Sequence, residues 1–194
     1  TPIKSSAASD VYKRQGDISI QQGELVAQVA NSLGSGGITI AGGTLTLATA
    51  DVQAGMGMIS LQSGALNLAS GDFATAFTSS TMEWTGGALM LGDDVTATIA
   101  KELAHEKTVE LAAGSVLTVS GTNDNAALTL NASGTGTVSV GLGTSYGLNV
   151  LNMSTEFQGT LAVTAGYFQL NNVTMGADAV LKLADSNVRT EWNG

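Results

Sequence analysis

The chain contains no cysteine, one proline, one histidine and only seven lysine or arginine residues in 194 positions. Without cysteine there are no disulfide staples and no thiolate metal sites. The few cations stand against 16 acidic residues, a formal net charge of -9, so no broad basic surface exists to neutralise phosphates and nucleic acid is not an expected partner. No run reaches the ~18 apolar residues needed to span a bilayer, and no apolar signal-peptide core lies near the N-terminus. No membrane contact by this chain is therefore expected, and an export signal, if the protein has one, lies outside it. Charged residues make up 12% and aromatics 5% of the chain. What is abundant is glycine, with 25 residues, and a hydrophobic content of 43%, a profile that suits many short strands joined by tight turns around a real core.

Residues 1–15 differ from the rest. They hold the only proline, Pro2, and three of the seven cations, Lys4, Lys13 and Arg14. The run from Asp10 to Gln15 resembles, codon for codon, the translation of GATGTGTATAAGAGACAG, a transposon end used in sequencing libraries. Residues 1–15 are accordingly read as a non-native or disordered segment and 16–194 as the folded domain. Beyond Gln15 the cations are Lys101, Lys107, Lys182 and Arg189 against fifteen acids, a balance of -11. The natural protein is expected to extend past both ends of this piece.

The domain repeats. Units of the form apolar-x-apolar begin at Ile18, Ile38, Ile59 and Met82, spaced 20, 21 and 23 apart, and Leu25, Leu45, Leu66 and Leu89 advance by the same steps. A looser third row runs through Val52, Phe73 and Val95. Further on, Leu128, Leu148, Phe168 and Val188 are each 20 apart, as are Leu161 and Leu181. Repeats of this length cannot bury an apolar face alone and must stack on their neighbours. Within a unit such as Thr44-Leu45-Thr46-Leu47 the alternation has strand periodicity. Glycines at 37, 43, 64, 87, 114, 159 and 166 precede the units, where the chain must turn sharply. The expected fold is all-β: a single-stranded, right-handed parallel β-helix, or β-solenoid, of about eight turns of 20–23 residues, forming a rod of about 40 Å. Leu45, Leu66 and Leu89 should stack in one inward column, and Leu128, Leu148, Phe168 and Val188 in another.

The stretch from Phe157 to Leu170 places an aromatic before Gly159-Thr160-Leu161 and then a second strand led by Gly166. It resembles the passenger-associated repeat of bacterial autotransporters, and Leu111 to Val119 is similar to its second half. The resemblance implies an extracellular or cell-surface location and an outer-membrane barrel, C-terminal to the passenger and absent from this chain.

Several constellations invite a chemical reading. Lys101 to Glu110 holds the only histidine, and His105 with Glu102 or Glu106 has the makings of an acid/base pair or half a metal site. One histidine without a second histidine or a cysteine makes a poor transition-metal site, so this window reads as a protruding loop or helical turn with solvated charges. Lys182, Asp185, Arg189 and Glu191 fall mostly on the outward parity if Leu181, Leu183, Val188 and Trp192 point inward. Paired carboxylates of a carbohydrate-active β-helix enzyme would be sought there, although a surface ion-pair cluster is the plainer reading. Asp93-Asp94 and Asn123-Asp124-Asn125 fit Asx turns better than calcium loops. The threonine pairs 44/46, 96/98 and 135/137 lie 52 and 39 apart, spacings that skip most turns and argue against an ice-binding array. Trp84, Phe168 and Trp192 share the inward parity, which leaves Tyr146 and Tyr167 as possible sugar-stacking groups.

No cofactor, metal or catalytic residue is assigned. The expected function is an extracellular surface scaffold or adhesin-like passenger fragment, structural or binding rather than enzymatic. Its partner would be a glycan or protein of a host or neighbouring cell, of unknown identity. The alternative is a polysaccharide lyase or glycoside hydrolase. Deleting residues 1–15 is expected to leave the melting temperature unchanged within error, measured by circular dichroism, because a segment without packing contacts carries no stability.

Overall fold

Each turn buries its apolar residues only by stacking on the next, and the chain accordingly winds into a parallel β-solenoid, with about seven turns and almost no helix among the described residues. The computed structural model describes residues 16–121, 127–142, 149–153, 157–165, 167–171, 175–183 and 189–193. Residues 1–15 lie outside this set, so their expected lack of a packing role is not addressed by the fold.

In the early turns each repeat lays down two short legs and then crosses to a second face. The first legs are Ile18–Ile20, the start of Ile38–Leu47, the start of Ile59–Leu68, and Met82–Trp84, in parallel register Ile18↔Ile38, Ile38↔Ile59 and Ile59↔Met82. The second legs pair Leu25↔Leu45, Leu45↔Leu66 and Leu66↔Leu89, the column read from the sequence. Leu45, Leu66 and Leu89 are fully buried. These legs form one long sheet, continued by Lys107–Leu111, Leu128–Gly134, Asn149–Met153, Tyr167–Asn171 and Arg189–Asn193. The second sheet contains Asp72–Phe77, Thr96–Ala100, Val116–Gly121, Thr137–Leu142, Thr160–Ala165 and Val180–Leu183. Before it begins, a 3-10 turn at Ala50–Gln53 closes that side with Val52 buried. Val52, Phe73 and Val95 are all buried, but Phe73 pairs with Ala97 rather than standing in register with Val95.

The other expected column is corrected by the register. Leu128 pairs with Leu151, a step of 23, and Phe168 pairs with Asn149 and Thr190, steps of 19 and 22. Leu148 and Val188 lie outside the described residues. Leu161↔Leu181 holds at 20 as expected.

Glycine does more here than turn the chain. Gly64 has φ +78, and a Cβ built on it would run into the carbonyl oxygen of Gly43 on the preceding turn; one built on Gly87, φ +79, would lie 2.6 Å from the carbonyl oxygen of Gly64. The corner column Gly43, Gly64, Gly87 thus lets successive backbones stack where any side chain would hold them apart. Gly64→Ala is expected to cost at least ~2 kcal/mol from left-handed backbone strain and the clash with carbonyl oxygen. Leu66→Ala, at the fully buried position just after the same corner, should cost about 3 kcal/mol through its cavity. Urea denaturation of the two variants against the parent checks both magnitudes.

Candidate functional site

The charged window is where the coil departs from its own pattern. Where the fifth turn should lay down a first leg, Lys101–Ala104 forms a single helical turn between Met82–Trp84 on one side and Leu128–Gly134 on the other. The turn does not protrude. The expected helical turn is there and Glu102, Glu106 and Glu110 face solvent, but Lys101, Leu103 and Ala104 are buried, so its protrusion from the rod is corrected. A Cβ on Gly121 would approach Lys101 Cβ to 3.1 Å, so that glycine gives the lysine stem its room.

A helical turn offers no strand edge, and the next leg must find its ladder partners elsewhere. His105 and Glu106 provide them around one residue. Thr129 N–H donates to His105 Nδ1 at 3.2 Å, and Glu106 N–H donates to the Thr129 carbonyl oxygen at 2.8 Å. Accepting at Nδ1 puts the imidazole hydrogen on Nε2 in the neutral ring, and Nε2 lies 3.8 Å from Glu106 Oε1. To complete this arrangement Glu106 takes φ +58, a conformation uncommon for a residue with a side chain. The sole histidine therefore serves as a stand-in for a strand carbonyl. Its Nδ1, the lone pair that a metal or a substrate proton would require, is occupied.

The second constellation does not share a face. Lys182 lies in Val180–Leu183 of the second sheet, whereas Arg189 and Glu191 lie in Arg189–Asn193 of the long sheet. Asp185 falls outside the described residues. The inward parity assumed for this end also fails at Leu183, which is 48% exposed, although Leu181 packs against the core. Asp93-Asp94 is a corner turn in which Asp94 has φ +57 and its N–H bonds the Ala113 carbonyl at 3.0 Å. Gly114, φ +71, occupies the same corner one turn later. Among the described residues no group of three or more His, Cys, Asp or Glu side chains is placed to hold a metal. Asn123-Asp124-Asn125 and Tyr146, like the side chains of Tyr167 and Trp192, lie outside what is described. Trp84 and Phe168 are buried as expected, and Trp84 Nε1 donates to the Gly87 carbonyl at 3.3 Å.

The passenger-like window has a clear local logic. Phe157 is fully buried, Gln158 N–H bonds the Gly134 carbonyl at 2.9 Å, and a Cβ on Gly159 would press to 2.9 Å on the Phe157 ring. An aromatic, one spacer and a glycine therefore form a plug at the start of Thr160–Ala165. Gly166 lies outside the described residues.

One arrangement was missed by reading motifs within a strand. The outward residues of the second sheet align as Thr96, Val116, Thr137, Thr160 and, two positions along, Thr98, Thr118, Ser139, Ala162. Stepping forward from Thr98 by the pairing offsets would have found it; searching for Thr-x-Thr did not. Of the other threonine pairs, 44/46 lies in the long sheet and Thr135 precedes its strand.

Compared with known proteins, the chain matches no family model, no curated protein and no solved structure. His105→Ala is expected to lower stability by about 1 kcal/mol, since the acceptor for Thr129 N–H is lost from a half-buried position that water partly reaches. Hydrogen exchange at Thr129, with the denaturation midpoint, measures it.

Proposed function

We propose that the chain is part of an extracellular bacterial surface scaffold of the autotransporter passenger type, structural or binding rather than catalytic. The observation that carries this reading is the nearest-neighbour stacking of turn on turn among the described residues, with an apolar interior whose members range from Ile20 to Phe168. A fold of this kind can grow turn by turn from one end, because each repeat needs only the one beside it. That suits a chain that crosses a membrane unfolded and folds as it emerges, and the absence of cysteine suits it too. The aromatic-x-glycine plug at Phe157 and Gly159 supports the passenger resemblance. The expected partner is a glycan or protein of a host or neighbouring cell.

The enzyme alternative loses its best constellation when Lys182 and the pair Arg189, Glu191 are carried on different sheets. General acid/base chemistry on a glycosidic bond needs two carboxyls at a fixed separation beside one sugar. Purified protein is expected to leave a panel of acidic and neutral polysaccharides uncleaved. Cleavage by the parent that disappears in an Arg189→Ala, Glu191→Ala variant would replace the scaffold reading with an enzymatic one.

A further inference from the structure

The outer face of the second sheet carries two adjacent columns of small, uncharged residues. Across four successive strands its two central columns read Thr96, Val116, Thr137, Thr160 and Thr98, Thr118, Ser139, Ala162. All eight side chains are small, none is charged, and all are half-buried by one another. The register is free of irregularity from Thr96 through Val140 and its partner Val163. Charge stands only at the borders: Asp72 accepts a hydrogen bond from Thr96 at one end, and Lys182 follows Ala162 at the other. Among the described residues the hydroxyls of Thr98, Thr118, Thr137, Ser139 and Thr160 make no hydrogen bond to protein, in contrast to Thr96 and to Thr164, whose hydroxyl bonds the Val140 carbonyl at 3.1 Å.

We infer that this face binds ice. In ice each water makes four tetrahedral O–H···O bonds of about 2.75 Å, so oxygens two bonds apart are separated by about 4.5 Å and the stacked layers repeat at eight-thirds of a bond, about 7.3 Å. Parallel strands set outward residues about 4.8 Å apart between turns and about 6.6 Å apart along a strand. The first mismatch, about 0.3 Å, accumulates to about 1 Å over four strands, less than the separation of two bonded waters. Hydroxyls fixed on this grid hold water at lattice positions, while the methyl groups of threonine, valine and alanine lie between them and favour an ordered shell over a mobile one. A soluble glycan is a weaker fit, since the two columns offer neither an aromatic ring for stacking nor a concave pocket with converging polar groups.

The inference goes beyond the scaffold reading and does not depend on where the protein is displayed. Its test is partitioning of the purified protein between a slowly growing ice front and the remaining liquid, together with the habit of ice crystals grown in its presence. Thr118→Arg places a long charge at the centre of the face, and Ser139→Lys does so one turn further on. Thr39→Arg places the same charge on the long sheet, at an outward and similarly half-buried position. Thermal melts identify the variants that fold. The parent and Thr39→Arg are expected to enter the ice and facet its crystals, and the folded face variants to be excluded like an inert protein. Exclusion of the parent, or entry of the face variants at the parent's level, overturns the inference. Retention of the parent on crystalline cellulose or chitin with exclusion from ice would also overturn it, and would assign the face to a glycan.

Discussion

The parallel main-chain ladder between successive turns constrains nearly everything else in this protein. A repeat of some 20 residues has too little apolar surface to bury by itself, so each turn is stable only while its backbone meets the next along both sheets. That requirement reaches the corners. The bond that would carry a side chain at Gly64 points at the carbonyl oxygen of Gly43, and the one at Gly87 points at Gly64. The high glycine content is thus a packing demand as much as a conformational one. Where the ladder is interrupted, at Lys101–Ala104, the chain restores it with a side chain: His105 Nδ1 stands where a strand carbonyl would have been.

The first half of this ladder was legible because its columns are apolar at every step, Ile18, Ile38, Ile59 and Met82 in one row and Leu25, Leu45, Leu66 and Leu89 in the other. Two independent rows advancing by 20, 21 and 23 admit only one alignment. The second half offered a tidier signal that was false. In Leu148-Asn149-Val150-Leu151 apolar residues occupy both parities, so the pattern does not choose between pairing Leu128 with Leu148 or with Leu151. A shift of three residues exchanges the two faces of a strand. The backbone pairs Leu151 and Met153 with Leu128 and Leu130, a step of 23 that the even spacing concealed.

Charge misled for a different reason. Sequence composition treats a run such as Lys101 to Glu110 as a solvated excursion, but whether a lysine is covered depends on residues 20 or more positions away, including Gly121, whose missing side chain makes space for the stem. The Lys182 to Glu191 constellation failed through the same neglect of three dimensions. The outward parity read for Lys182 and that read for Arg189 and Glu191 belong to different strands, because between Leu183 and Arg189 the chain passes from the second sheet to the long one. Alternation is a property of a single strand and does not survive a corner.

Outward positions are where the ladder has consequences without having causes. Inward residues are selected for volume, and their columns announce themselves as apolar. An outward residue is merely carried to a lattice point by the backbone, and strand propensity alone would explain threonine there. It does not explain the distribution of charge. On the long sheet, the outward column through Ser60 reaches Glu83 on the next turn, and that through Met90 reaches Glu110. On the second sheet, in a chain of net charge -9, the columns from Thr96 to Ala162 cross four strands without an acid or a base. Charge closes these columns at Asp72 and Lys182, and the long sheet too has a column without it, from Thr44 through Ala65 and Ala88 to Thr108. What sets the second sheet apart is therefore two adjacent columns of small, mostly hydroxyl-bearing residues on an unshifted register, an arrangement that solubility alone does not favour.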